Sequence, residues 1–283
     1  MHNSLTRSAL LYELYQTGRP STGLYAFIAT TIGFAGLQIA WSTVLVSAVT
    51  FACLTMSIMT FNDIADRKRD ALPDKARDFA LRHLVAMRTF WLLGATVVGV
   101  LLVYLHTLQP SAAYFCAAVW ALGLGYSFTP KLFLFQKLLV ALCSASPILC
   151  GGYAAGVWQV DHVASFRLML LVIIFNEFLK DVPDRYGDVG HKNTVPVLLD
   201  SHRRPYRVRR SAVFTAPLIV FVSLAGWSHP NALLGYMVAA FGTVLIRQHV
   251  LLVIHPVFVS RVLSTNRSLI YAIGGTLAVS AVL

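Results

Sequence analysis

Charge is scarce in this sequence. Asp, Glu, Lys and Arg make up 12% of its 283 residues, apolar types 57%, and mean hydropathy is +0.67. That excludes an ordinary soluble domain, in which about a quarter of residues are charged. Cysteine is also scarce. The four, Cys53, Cys116, Cys143 and Cys150, lie in apolar runs with no CxxC spacing. A disulfide framework and a cysteine zinc site are excluded, and packing is their expected role. There is no Gly-rich phosphate loop, Walker motif or Ser-His-Asp order, so those chemistries drop out. Alternating ten-residue strands are missing too, which excludes a transmembrane barrel. The opening MHNSLTRSALLYELYQTGRP lacks a continuous apolar core and a small-residue cleavage site. It is not a signal peptide. It is expected to form an amphipathic helix on the membrane surface, with Leu5, Leu10, Leu11 and Leu14 toward lipid.

What is present is a succession of apolar runs. Each of about 16–24 residues can cross a bilayer as a helix, which needs roughly 20. Nine spans are expected, near 22–41, 43–61, 86–106, 110–128, 134–157, 166–180, 211–228, 231–249 and 268–283. Backbone groups in lipid must pair within their own segment, so the fold class is an all-α membrane bundle. Of 23 Lys and Arg residues, 22 fall at the N-terminus or on even-numbered exits, and only Arg167 on the other side. The positive-inside rule then makes the N-terminus and the even exits cytoplasmic. The net charge of +11 is mainly topological, with some attraction to anionic lipid heads. The basic residues show no aromatic interleaving, so nucleic acid is not an expected partner.

The acidic residues are concentrated. Ten of 12 lie in 63–78 or 177–200. NDIADRKRD at 62–70 places Asp63, Asp66 and Asp70 at offsets 0, 3 and 7, and DVPDRYGD at 181–188 repeats those offsets with Asp181, Asp184 and Asp188. On a helix such offsets share one face. The two copies follow spans 2 and 6, so they emerge on the same membrane face. A pseudo-duplicated four-helix unit with one added span is the expected organisation.

Six carboxylates that close would repel one another unless countered. One reading is two solvated helix ends pairing with neighbours such as Arg67 or Arg185. The sharper one is a Mg²⁺ site. Mg²⁺ takes oxygen ligands shared between carboxylates and substrate phosphates, whereas Zn²⁺ would want His or Cys. Arg77, Lys131, Lys180, Arg185 and Lys192 are placed to grip phosphate oxygens. A diphosphate held at the membrane face above an apolar bundle suits an isoprenyl diphosphate. Metal coordination would make the diphosphate a better leaving group, and aromatic faces can stabilise the allylic cation left behind. Glu177 and Lys180, three residues apart, form either a buried pair or, through Glu177, a proton acceptor. Asn176 either lines the cavity or bonds across helices. His83, His249 and His255 have no evident metal-ligand partners, and His191 and His202 lie in a charged, solvated segment.

These stretches resemble the UbiA superfamily of intramembrane prenyltransferases. NDIADRKRD fits its NDxxDxxxD motif, and KDVPDRYGD resembles its second aspartate motif. HKNTVPVLLD, YSFTPKLF at 126–133 and GRPST at 18–22 are similar to further family segments. The resemblance covers the whole chain and implies a single domain over 1–283. Its N-terminal segment is 1–21, and its cytoplasmic active-site loops are 62–85 and 181–210. It implies nine helices around a central cavity and a Mg²⁺ cofactor. Asn62, Asp63, Asp66 and Asp70 would serve one metal group, and Asp181, Asp184 and Asp188 the other. Tyr126, Lys131 and Arg19 would face the diphosphate, and Asp66 and Asp184 would be central to catalysis. Thr129 stands where a proline is usual, and ALPDKARDF lacks the usual Arg-Pro pair, with Arg77 a loose substitute. These departures point to specialised metabolism. The activity implied is prenyl transfer to an aromatic acceptor. A terpene cyclase on the same scaffold and a non-enzymatic transporter or lipid-binding protein are the alternatives.

Overall fold

The computed structural model describes residues 7–66, 83–128, 135–182, 197, 199, 209–254 and 259–282. Among them are ten helices, with one broken helix counted once, and no strand. They are α1 (Arg7–Thr17), α2 (Pro20–Gly33), α3 (Trp41–Asp66), α4 (Leu84–Leu108), α5 (Pro110–Tyr126), α6 (Phe135–Ala155), α7 (Val160–Leu179), α8 (Arg209–Trp227), α9 (Ala232–Ile254) and α10 (Val259–Val282). Five of these, α3, α4, α6, α7 and α9, are long and apolar enough to cross a membrane. α2 and α5 have 14 and 17 residues, short of the ~20 that span a hydrocarbon core.

Helices α2, α3, α5, α6, α7 and α10 touch in succession, and α10 returns to α2. The ring is closed. α4 packs outside it on α3 and α5, while α8 packs on α7, and α9 on α8 and α10. Burial follows this placement. In the most apolar stretch of α7, 61% of residues are buried, against 11% in α4. The consecutive pairings α2–α3, α3–α4 and α4–α5 have counterparts in α6–α7, α7–α8 and α8–α9.

Three expected spans differ in detail, the ninth because its helix starts at Val259 rather than near 268. The first stops at Gly33 rather than continuing to 41, because a turn follows with Gly36 at φ 70°. The fifth is broken by a 3₁₀ turn over Ser146–Leu149. Pro147 cannot donate a helical hydrogen bond there. The break lies against the end of α2. A Cβ on Gly151 would sit 1.8 Å from the Gly33 carbonyl oxygen, and one on Gly33 would sit 2.4 Å from that of Ile148. Only glycines let these two backbones meet.

The N-terminal helix corrects one expectation. Leu14 is buried against Ile64 of α3 and Met87 of α4, and Leu10 packs on the same cluster. Leu11 is exposed, with Tyr12 and Tyr15 beside it. Leu10 and Leu14 therefore hold α1 to the bundle rather than facing lipid, and Leu5 lies outside the described residues. The apolar face found a protein groove, which sequence periodicity cannot tell from a bilayer.

The far end of the bundle is tied by polar contacts that involve no carboxylate. His229 Nδ1 accepts from the Asn231 N–H at 3.1 Å, so its Nε2–H donates to Ser165 Oγ at 3.0 Å. Burial holds this imidazole below the ordinary histidine value. Arg167 donates to Ser228 Oγ at 2.9 Å, and Gln109 to the Ala154 carbonyl.

Candidate functional site

The chemistry gathers where α3, α5 and α7 end and α2 and α6 begin. α3 runs unbroken through Asn62, Asp63 and Asp66. These residues are thus helical and not part of a loop that begins at 62. Asp63 and Asp66 are both buried, an unfavourable place for carboxylates unless something answers their charge.

Arg19 answers one. It sits between α1 and α2 with φ 50°, and among the described residues it is the only non-glycine in the left-handed region. That conformation costs roughly 1–2 kcal/mol. Strain of this kind persists where the surroundings impose it, and it clusters at functional sites. Its carbonyl accepts from Thr22 N–H at 2.8 Å, which starts α2, and Pro20 follows at the first helical position. The guanidinium reaches Asp63 Oδ1 at 3.2 Å while remaining half exposed. A guanidinium has five N–H donors, so one such contact leaves capacity for an anion.

The second motif begins at the end of α7. Glu177 is buried and pairs with Lys180 Nζ at 2.5 Å. This is the pairing foreseen from their spacing. Lys180 is 44% exposed. Asp181, two residues beyond the helix, is buried and takes an ammonium from another helix. Lys137 Nζ donates to Asp181 Oδ1 at 2.6 Å and to the Glu177 carbonyl at 2.6 Å. Burial pushes the Asp181 carboxyl above the usual carboxylate range, and Lys137 draws it part of the way back. Its other oxygen, Oδ2, is buried with no partner among the described residues, as is Asn176 Oδ1.

Tyr126 ends α5 and joins the two groups. Gln136 Nε2 donates to its hydroxyl at 3.1 Å, and the charges of Glu177, Asp66 and Arg19 act on it. Arg19, Asp63, Asp66, Tyr126, Glu177, Lys180 and Asp181 are therefore at one end of the bundle. Asp70, Arg77, Lys131, Asp184, Arg185, Asp188 and Lys192 lie outside the described residues. Among the described residues, no group of three or more His, Cys, Asp or Glu is close enough to hold a metal.

Lys137 and Gln136 stand outside both aspartate motifs, and no motif marks them in the sequence. A signal was available: an ionisable residue inside an apolar span marks a functional site by default. His191, His202 and His255 lie outside the described residues. His249 is buried, bonded to the Ala212 carbonyl and near Thr215.

The fold has solved counterparts. A digeranylgeranylglyceryl phosphate synthase superposes with TM-score 0.68 at 18% identity, covering 96% of this chain and 98% of that one. A UbiA homologue from Aeropyrum pernix gives 0.68 at 16% identity over 99% and 100% of the two chains. One from Archaeoglobus fulgidus, bound to DMAPP and Mg²⁺, gives 0.63 at 13% identity over 92% and 99%. At such identities the likeness establishes the fold. Among curated proteins, none matches the chain by sequence at a significant level. A sequence profile of the UbiA prenyltransferase family matches residues 24–256. That span holds both aspartate motifs and most of the ring, and the chain belongs to the UbiA prenyltransferase family.

Proposed function

We propose that the protein is a Mg²⁺-dependent intramembrane prenyltransferase that ionises an isoprenyl diphosphate and passes the prenyl group to an aromatic acceptor, in specialised metabolism. One observation carries the reading: the first residues of both aspartate motifs lie at one end of the helical ring, with Arg19, Tyr126 and Lys180 among them. The Archaeoglobus fulgidus homologues bind DMAPP or GPP with Mg²⁺, which supports the same substrate class here.

The residues fit the metal. The donors are oxygens, which Mg²⁺ prefers, and Asp181 Oδ2 is a buried oxygen with no partner among the described residues. Asn62, Asp63, Asp66 and Asp70 would hold one group, and Asp181, Asp184 and Asp188 the other. With Mg²⁺ bound, the charge developing on the departing diphosphate is neutralised. The chain's own cations add to this. Arg19 and Lys180 are half exposed and offer donors to phosphate oxygens, with Arg77, Lys131, Arg185 and Lys192 completing the set. Tyr126 orients the same group. When Lys180 turns to the diphosphate it releases Glu177, which then accepts the proton lost by the acceptor. The prenyl tail lies in the apolar interior of the ring, where water is excluded. The chain is a multi-pass membrane protein. The N-terminus and both motifs face the cytoplasm, on the strength of the Lys and Arg asymmetry.

The test is an assay of purified protein in nanodiscs with geranyl, farnesyl or geranylgeranyl diphosphate and Mg²⁺, with and without phenolic acceptors. Prenylated phenol is expected only with acceptor, and no product with EDTA. A single cyclic terpene formed without acceptor would replace transfer by cyclisation. Metal-independent movement of ligand would point to a transporter.

A further inference from the structure

Lys137 is unusual for what surrounds it. It is the third residue of α6, in an apolar run, with its side chain only 10% exposed. Its ammonium has three N–H donors. Two are spent on different parts of one turn, the Asp181 carboxylate and the Glu177 main-chain carbonyl, both at 2.6 Å. The carbonyl is among the last of α7, which ends at Leu179, and the last carbonyls of a helix have no partner within it. Lys137 thus caps α7 from another helix while binding the first carboxylate beyond it.

Stability does not explain this pair. Replacing a buried ion pair with apolar residues of similar size is often neutral or stabilising. Here the pair also leaves Asp181 Oδ2 buried without a partner among the described residues, which adds a desolvation cost. The pair is also not the only cation in the turn, since Lys180 already meets Glu177 at 2.5 Å. What Lys137 does is hold Asp181 by one oxygen, so that the other has a defined place.

We propose that Lys137 is a positioning residue that serves as a protein-borne counter-cation, clamping Asp181 through Oδ1 and competing with a divalent cation for that carboxylate. The inference rests on the metal-dependent reading above. Removing the charge should tighten metal binding at the second motif while misplacing Asp181, so affinity and turnover move in opposite directions. A purely structural lysine would lose both together.

The experiment counts Mn²⁺ bound to the full-length protein in detergent by electron paramagnetic resonance, without substrate, and then measures turnover against Mg²⁺. Lys137→Met removes the charge and both hydrogen bonds. Lys137→Gln removes the charge but keeps a donor, and takes over the test if Lys137→Met does not fold. Lys137→Arg keeps the charge. The expected result is Mn²⁺ affinity raised about tenfold in the uncharged variants, the scale of one screened charge interaction, with lower turnover and near-normal affinity in Lys137→Arg. Unchanged or weaker Mn²⁺ binding in a folded Lys137→Gln protein would overturn the proposal while leaving the metal-dependent reading intact. Absence of Mn²⁺ binding in the unsubstituted protein, both alone and with inorganic diphosphate, would overturn both.

Discussion

Arg19 shows how one residue can carry strain and chemistry together. Its left-handed backbone lets the chain turn from α1 into α2, and its guanidinium reaches Asp63 from 44 positions away. A glycine would take the same backbone without steric penalty. The ion pair opposes that gain, because Asp63 is buried and would lose the cation that answers its charge. Combined with Asp63→Asn, Arg19→Gly should therefore melt at or above the temperature of the unsubstituted protein, whereas alone it should melt lower. Its KM for prenyl diphosphate should rise about tenfold, the worth of one lost charge-assisted contact. Thermal melts and initial-rate kinetics on the same preparation check both halves. The GRPST segment drew attention to Arg19 from sequence, but its φ angle and its partner are tertiary facts. Lys137 is the converse case: its partner lies 44 positions ahead, and no local pattern points there.

At the scale of elements, α2 and the broken α6 cross with their backbones in close contact. A methyl group on Gly151 would sit 1.8 Å from the Gly33 carbonyl oxygen, and that atom belongs to a helix backbone that cannot rotate aside. Overpacking a well-filled core costs about 1–3 kcal/mol, occasionally more. Gly151→Ala should reach at least the upper end of that range, read as a lower unfolding midpoint in detergent. Gly156→Ala is the comparison. It meets open space but sits at φ 67°, so its cost is local backbone strain and it should leave the α2–α6 contact unchanged. The sequence marks the place only by Gly-Gly at 151–152 after Pro147. It does not reveal that α2 lies opposite.

At the scale of the molecule, the two halves contribute unequal parts to the candidate site. α3 supplies Asp63 and Asp66, and α7 leads into Asp181. α5 supplies Tyr126, whose hydroxyl feels charges from both halves. Residues that act as a unit are non-additive when removed. Asp66→Ala and Asp184→Ala should each lower Mg²⁺-dependent diphosphate release by roughly 10²-fold or more, the scale of lost transition-state charge stabilisation. The double variant should be hardly worse than either single one. Losses that multiply instead would mean two independent sites. Phosphate release with a coupled pyrophosphatase, on proteins matched for melting temperature, distinguishes these outcomes.

The sequence alone determined the solvent and the spacing. Scarce charge and recurrent apolar runs dictate helices, because unpaired backbone groups are too costly in lipid. The repeated aspartates mark where the chain concentrates negative charge, since few other acidic residues compete for notice. The Glu177–Lys180 pair was legible because a helix places residues three apart side by side. Only the tertiary structure decided how the ring closes, which face of α1 is covered, where α6 breaks and which cation meets which carboxylate. Those outcomes depend on contacts between residues tens of positions apart. Local periodicity shows that a helix has an apolar face or a buried charge, while the partner is chosen by packing across helices.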